Sequence, residues 1–196
     1  MSNGVNLQPQ LREQANEILR QLWASEREEL LIKCWMLHDT KWFMAAAREY
    51  GVEAANRLNQ IAAHEIGKAE AQRIVRALGL PPVSSLDEYL LVQEVLIALL
   101  EPELVGHHVT KLSDTTYRML VQRCFARDNA VRTGIASDYE CGIYPRLTGW
   151  LEGLGFAYKT DPAPGKCPRA QGQECLHTVT VEKEAVSLGG RTSSIG

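Results

Sequence analysis

The sequence predicts an α+β protein in which an N-terminal helical region packs on a β-β-α-β-β antiparallel-sheet domain. Apolar residues recur at three- and four-residue steps through the first half, as in PQLREQANEILRQLWA at 9–24. The period then changes, and HHVTKLSDTTYRMLVQRCF places two extended runs around a Ser-Asp-Thr turn, which indicates a hairpin. A helix-like segment at 139–154 and two more strand-like runs follow. This order predicts one antiparallel sheet with a helix on one face.

Four helices are predicted in the first half, with boundaries set by capping residues and helix breakers. Ser25 followed by Glu28 is a capping-box start, and Gly51 and Gly79 fit positions just past a helix end. The predicted helices are 9–24, 26–50, 52–78 and a fourth from Ser84 or Ser85 to about Pro102. The later strands are predicted at 156–160 and 176–183. The predicted regions are a helical region at 9–103, an α+β domain at 104–185 and a disordered tail at 186–196.

Composition excludes several classes of protein. A net charge of −3 without a basic stripe gives no electrostatic footprint for nucleic acid. The longest apolar runs, such as VLIALL, are too short to span a bilayer, and MSNGVNLQPQ lacks the apolar core of a secretory signal. Five cysteines then indicate reduced thiols, metal ligands or catalysis rather than disulfides. A cytoplasmic location is therefore predicted.

The cysteines of the second half suggest a metal centre. Cys167 and Cys175 enclose the polar loop segment PRAQGQE, and Cys141 opens the predicted helix. A loop that folds back over the start of that helix would bring these three thiols together, and zinc needs four ligands in a tetrahedron. The alternative is that they are packing or surface residues without a metal. Candidates for the fourth ligand are Cys124, Asp161 and His177.

Residues 105–183 resemble the 4-vinyl-reductase-type domain, a family that includes sensor domains of bacterial activators responsive to phenols and other aromatics. The resemblance rests on the spacing of Cys141, Cys167 and Cys175, on IYPRLTGWLEGLGF, and on the apolar strand LHTVTV. It implies that the three cysteines help bind a structural zinc ion. The family's fourth ligand is an acidic residue three positions before the second cysteine. Pro164 stands there, so Asp161 or Cys124 would have to substitute.

The helical half contains a second set of candidates. Trp35, His38 and Trp42 fall within one helical stripe, and His64 lies in the next helix. If Gly51 marks a helical hairpin, His38 and His64 each lie 13 residues, about 20 Å, from the bend and at the same level. Such a pair suits a polar ligand or proton exchange. The alternative is that the histidines are satisfied, partly buried polar residues and that Trp23, Trp35 and Trp42 pack in the core. Cys34, within LLIKCWML, is predicted to pack in the core as well.

Two residues of the hairpin complete the predicted ligand site. Tyr117 and Arg123 are candidates if they point inward, and Arg123 would pair with a ligand carboxylate. The favoured function is binding of a small hydrophobic or aromatic molecule by a homodimer with a structural zinc site. The helical half is similar to a group of cytosolic proteins related to aminothiazoline-carboxylate hydrolases. That similarity implies the alternative of a small-molecule hydrolase using His38, Asp39 and His64. A dimeric assembly factor is a third possibility.

Overall fold

The protein is described by a computed structural model, which covers residues 7–99 and 104–183. It is a mixed α+β structure with helices in the N-terminal part and an antiparallel sheet in the C-terminal part, so the predicted fold class is confirmed. The chain forms two compact units, Met1–Trp42 and Phe43–Gly196. The predicted division at 103/104 and the predicted tail at 186–196 lie at or beyond the limits of the described residues.

Six helices are described, and four of them precede the sheet. Their bounds agree with the predicted ones to within a few residues at the glycine and serine boundaries. They are α1 (Gln8–Arg20), α2 (Ala24–Tyr50), α3 (Val52–Ala77), α4 (Leu86–Leu99), α5 (Phe125–Arg132) and α6 (Ile143–Gly153). Gly51, between α2 and α3, has a φ of 87°, a backbone conformation that glycine adopts without strain. No helix of the described ranges is long and apolar enough to cross a membrane.

Four antiparallel strands form one sheet in the order β1-β2-β4-β3. They are β1 (Val105–Lys111), β2 (Thr116–Cys124), β3 (Phe156–Asp161) and β4 (Cys175–Lys183). A short 3-10 helix, Pro168–Gln171, lies in the loop between β3 and β4. The predicted hairpin and both later strands are therefore confirmed.

Two features of the second half differ from the prediction. Helix α5 was not predicted, because its segment FARDNAVR has little apolar periodicity and buries only Ala130. The helix predicted at 139–154 begins four residues later, at Ile143. Pro145 explains this start, because its ring would clash with the carbonyl of residue 141 if the helix extended further toward the N-terminus.

The core of the C-terminal unit lies between the sheet and helices α3, α4 and α6. Its largest fully buried side chains include Tyr89, Tyr117 and Tyr144. Helix α6 lies close to α3, because a Cβ atom at Gly67 or Gly149 would overlap a backbone carbonyl of the other helix. The absence of side chains at these points lets the two backbones come together.

A β-bulge changes the direction of the side chains at the end of β2. Gly106 pairs with Arg123 and His107 pairs with Val121, so Gln122 is an extra residue in β2. The inward alternation of Tyr117, Met119 and Val121 is interrupted there. As a result Arg123 is exposed and Cys124 is buried.

The N-terminal unit buries none of its described residues. Trp23 and Trp42 are 77% and 72% exposed, and Cys34 is exposed. The prediction that these three side chains pack in a core is therefore wrong. The apolar periodicity of α1 and α2 was identified correctly, but within the unit it does not enclose a core.

Candidate metal centre

All four cysteines of the C-terminal unit are buried, although Cys167 and Cys175 bound the polar loop segment PRAQGQE. Cys124 caps the start of α5, and Cys141 immediately precedes the residue that caps α6. Cys167 precedes the 3-10 helix, and Cys175 is the first residue of β4. Each is at most 9% exposed. The alternative of surface thiols is thereby excluded for these four.

A short backbone ribbon holds Cys141 and Cys167 together. Glu140 and Lys166 form an antiparallel bridge, the N–H of Cys141 donates to Gly165 O, and the N–H of Cys167 donates to Tyr139 O. Side chains alternate across such a ribbon, so Cys141 and Cys167 lie on the face opposite to the bridging pair. Both thiols therefore point to the buried side of the ribbon, where Tyr139 also lies.

The sheet brings Cys124 and Cys175 to the same region. Cys175 pairs with Val121, and Cys124 lies three residues further along β2, past the bulge. Without the bulge, strict alternation would turn Cys124 away from the side that Val121 faces. Four separate segments thus each contribute one thiol.

Burial and the charges of other thiols both affect the pKa values of Cys124, Cys141 and Cys175. Burial raises the pKa of Cys141 and that of Cys175 to about 12 each, and it raises the pKa of Cys124. A charge on Cys124 would raise the pKa of Cys141 and Cys175 further, and a charge on Cys167 would do the same for Cys124 and Cys175. A thiol with a pKa near 12 is ionised at pH 7 in only about one molecule in 10⁵. Burial therefore disfavours the thiolate form of Cys124, Cys141 and Cys175.

Several groups nevertheless favour the thiolate form. The backbone N–H groups of Arg127 and Ala126 oppose the effect of burial at Cys124, and those of Tyr144 and Ile143 do so at Cys141. Both thiols therefore lie at helix starts, where partial positive charge favours an anion. Arg169 lowers the pKa of Cys175, and its buried Nη1 lacks a hydrogen-bond partner among the described residues.

The thiols do not form a closed ligand set. In the described ranges, no group of three or more His, Cys, Asp or Glu side chains is arranged to hold a metal ion. The donor set fits zinc in type and number, since four thiolates are a common structural zinc site. The predicted zinc site therefore stays a prediction. Among the candidates for its fourth ligand, Cys124 is the one that supplies a fourth buried thiol.

The two other candidates for a fourth ligand, Asp161 and His177, interact with each other. Asp161 is exposed at the end of β3, and its charge acts on His177 rather than on the thiols. His177 is 3% exposed and lies 3.0 Å, through Nδ1, from the carbonyl oxygen of Pro162. A carbonyl only accepts, so Nδ1 donates and Nε2 is left as an acceptor. That Nε2 is buried and has no hydrogen-bond partner among the described residues.

His64 lies in a polar cluster formed by α3, α6 and β3. Its Nε2 is 3.1 Å from a carboxylate oxygen of Glu152 and 3.4 Å from the hydroxyl of Tyr158. Lys68 contacts the other oxygen of Glu152 at 2.6 Å, and this contact lowers the pKa of Glu152 and raises that of Lys68. His64 Nδ1 also lies 3.6 Å from its sequence neighbour Glu65. Glu152 and Tyr158 could not be found from local sequence, because they lie more than 80 residues away in the chain.

The remaining predicted ligand residues are not brought together. Tyr117 is buried and donates its hydroxyl to Gln93, whereas Arg123, further along β2, is exposed. In the N-terminal unit Trp35 is half-buried, and His38 is exposed and lies 3.7 Å from Asp39. Trp42 is exposed as well. In the C-terminal unit these positions lie in the core and on the surface, and in the N-terminal unit none of them is buried.

Comparison with known proteins gives a family for the chain. The model of a family of unknown function, DUF6125, matches residues 24–163, which is more than half of the sequence. The chain belongs to the DUF6125 family. No curated protein matches it. The DUF6125 match includes Cys124 and Cys141, whereas Cys167 and Cys175 lie beyond it. The resemblance to the 4-vinyl-reductase-type domain stays a prediction.

A surface depression of about 630 Å³ lies along α1. It is lined by Gln8, Pro9, Arg12, Glu13, Asn16 and Arg20. Because these residues are polar and belong to one exposed helix face, the depression lacks the apolar walls of a small-molecule site. None of the residues predicted to bind ligand or metal lies there.

Proposed function

We propose that this protein is a small-molecule-binding protein whose C-terminal unit is stabilised by one zinc ion on Cys124, Cys141, Cys167 and Cys175. The observation that carries the proposal is that four buried thiols come from four separate segments. Cys124, Cys141 and Cys175 share one buried cluster, and backbone hydrogen bonds hold the segment of Cys167 to that of Cys141. Four thiolates leave no open position on zinc, so the metal is structural. The reducing cytoplasm, which is the proposed location, would keep these thiols available.

The zinc ion would link the loop between β3 and β4 to the rest of the unit. Cys167 and Cys175 bound that part of the loop, Cys141 precedes α6, and Cys124 lies between β2 and α5. Binding would deprotonate the four thiols, against the burial that raises the pKa values of Cys124, Cys141 and Cys175. The positively charged Arg169 would then offset part of the negative charge of the zinc–thiolate group.

The ligand part of the proposal is supported by the interior beside this loop. His177 presents a buried acceptor nitrogen, and the ring of Tyr144 lies over it with centroids 3.5 Å apart. Tyr89 packs against Tyr117 and Phe156 in the same core. Aromatic surroundings with few polar groups suit a hydrophobic or aromatic molecule that carries one hydrogen-bond donor. We propose that the protein acts as a homodimer.

Mass spectrometry of the purified full chain, native against denatured, tests both parts. The expected native mass exceeds the polypeptide mass by one zinc ion per chain, and this excess is lost in Cys141→Ser and Cys167→Ser. Cys34→Ser, which changes an exposed cysteine of α2, is the matched control and should keep its zinc. A bare polypeptide mass, or equal zinc in all variants, would contradict the metal site. An organic molecule retained by the wild type and lost in His177→Ala would support the ligand site.

A hydrolase is the second candidate, and the His64 cluster favours it. A carboxylate, an imidazole and a phenol within 3.1 to 3.4 Å are an arrangement for proton transfer. A panel of cyclic amides and thiazoline carboxylates would be incubated with the protein. Turnover that disappears in His64→Gln and Glu152→Gln but persists in His38→Gln would establish this function. No turnover, or loss in none of the variants, would eliminate it.

A further inference from the structure

Apolar side chains at seven-residue spacing occupy exposed faces of α1 and α2. In α1 these are Leu11 and Ile18, and in α2 they are Leu30 and Leu37, with Trp23 seven residues before Leu30. All five are at least half exposed. We name the four aliphatic residues of this set the seam.

The seam needs a cover that the N-terminal unit does not itself supply. None of its described residues is buried, and α1 has only 13 residues. An isolated helix of that length is marginally stable in water, and most helices depend on packing of their apolar face. Because both helices are nevertheless formed, their apolar faces imply a partner surface that covers them.

The pattern of the seam indicates that this partner is another helix. A repeat of seven residues places side chains in a row that meets a neighbouring helix, with knobs inserted into holes. In its described part the unit exposes nine large apolar side chains: six leucines, one isoleucine and two tryptophans. At roughly 100 Å² each, the four seam residues offer on the order of 400 Å², and the other five side chains would have to lie at the same interface for it to reach the ~800 Å² per partner of a standard stable interface.

The distribution of charge along α2 indicates the orientation of the partner. Residues 24–30 carry three glutamates and one arginine, whereas residues 31–42 carry two lysines and one aspartate. Lys33 pairs with Glu29 within its own helix, so Lys41 is the cation that an antiparallel copy of α2 would place beside the acidic start of the other helix. A two-fold axis produces this arrangement, because each copy presents the same surface.

We infer that the seam of α1 and α2 binds the seam of a second copy of this chain, with the α2 helices antiparallel. This inference rests on the homodimer included in the proposed function and does not depend on zinc. Cys34 lies between Leu30 and Leu37 on the seam side of α2, since it follows Leu30 by four residues and precedes Leu37 by three. It is also the exposed cysteine, whereas the other four are buried.

Light scattering coupled to size exclusion, on the full chain over a range of concentrations, tests the inference. The wild type is expected at twice the mass of one chain, and Leu30→Glu with Leu37→Glu at the mass of one chain. Leu91→Glu on α4 is the matched control, because Leu91 is 68% exposed and lies in the other unit. A short bis-maleimide should cross-link wild-type pairs through Cys34 and fail with Cys34→Ser and with the double variant.

Three results would overturn the inference. The first is a monomeric wild type in which Trp23 and Trp42 resist iodide quenching, because the chain's own second unit would then cover the seam. The second is a monomeric wild type in which iodide quenches both tryptophans. The third is a dimer that survives the double variant. Zinc measured on the same samples separates the two proposals. A double variant that is monomeric and keeps its zinc supports the seam, whereas a zinc-free dimer contradicts only the metal site.

Discussion

At the residue scale, Cys124 shows how one extra residue changes what a side chain can do. If the side chains of β2 alternated without a bulge, Arg123 would point inward like Val121. The prediction that Arg123 binds a ligand depends on that inward direction. The bulge at Gln122 reverses this, so Cys124 joins the other buried thiols and Arg123 faces solvent. Local sequence carries no clear signal of the bulge. The cysteine spacing was therefore sufficient to suggest a metal site but not to choose its fourth ligand.

His177 should make stability depend on pH in a defined window. Burial lowers its pKa below the ordinary value of 6.5, so the unfolded chain takes up the proton first as the pH falls. Stability attributable to this group is complete above about pH 6.5 and declines as the pH falls toward the folded pKa. Urea unfolding from pH 7.5 to 5 should show a smaller decline in His177→Asn than in the wild type.

His108→Asn is the control for this measurement, because His108 is exposed on β1. Because the side chain is exposed, this replacement should leave the free energy of unfolding at pH 7.5 unchanged. All three proteins contain the same thiols, so the differences between them report the histidines alone. Equal slopes for His177→Asn and the wild type would show that His177 is protonated as easily in the folded protein as in the unfolded chain.

Gly149 should be the most sensitive glycine of α6. A Cβ atom there would overlap the carbonyl oxygen of His64, which is backbone and cannot rotate away. Gly149→Ala should therefore lower the free energy of unfolding by about 1–3 kcal/mol, the usual cost of overpacking. Gly165→Ala meets no atom within 4 Å and should change stability by less than about 1 kcal/mol. Urea denaturation measures both, and equal effects would contradict the close contact.

At the element scale, the contact between α3 and α6 organises the C-terminal unit. The two helices pack extensively, and Glu70 of α3 accepts hydrogen bonds from Arg146 and Trp150 of α6. The side chains of Glu70 and Arg146 are only 18% and 13% exposed. This contact also sets Glu152 beside His64.

Glu70→Ala should destabilise the protein strongly. It leaves Arg146 partly buried without its carboxylate, and breaking such a pair costs about 3–5 kcal/mol. Glu17→Ala removes the exposed pair with Arg20 on α1 and should cost at most about 1 kcal/mol. Chemical denaturation followed by circular dichroism compares the two. Similar small losses would mean that the Glu70–Arg146 pair is well solvated.

The boundaries of most elements could be predicted because local chemistry sets them. Gly51 and Gly79 end helices, the Ser-Asp-Thr turn joins β1 to β2, and each produced a correct prediction. Helix α5 could not be predicted, since its stability comes from its neighbours rather than from an apolar stripe of its own. The contacts of His64 with Glu152 and Tyr158 could not be predicted either. They depend on the close approach of α6 to α3 at two glycines, and the two helices are distant in sequence.

At the scale of the whole molecule, the same apolar periodicity has two outcomes. In the C-terminal unit it encloses a core, whereas in α1 and α2 it remains exposed. Periodicity predicts which face of a helix is apolar but not which molecule covers it. For this reason the sequence correctly predicts helices at both ends of the helical half, yet wrongly predicts core positions for Trp23, Trp42 and Cys34.

The most direct test of the central claim, that four thiols share one zinc ion, is X-ray absorption at the zinc edge. The reduced full chain would be loaded with one equivalent of zinc and freed of excess metal. We expect four sulfur neighbours at about 2.3 Å and none of nitrogen or oxygen. Fewer than four sulfurs, or light scatterers at about 2.0 Å, would contradict a site of Cys124, Cys141, Cys167 and Cys175. Zinc that washes away would contradict it altogether.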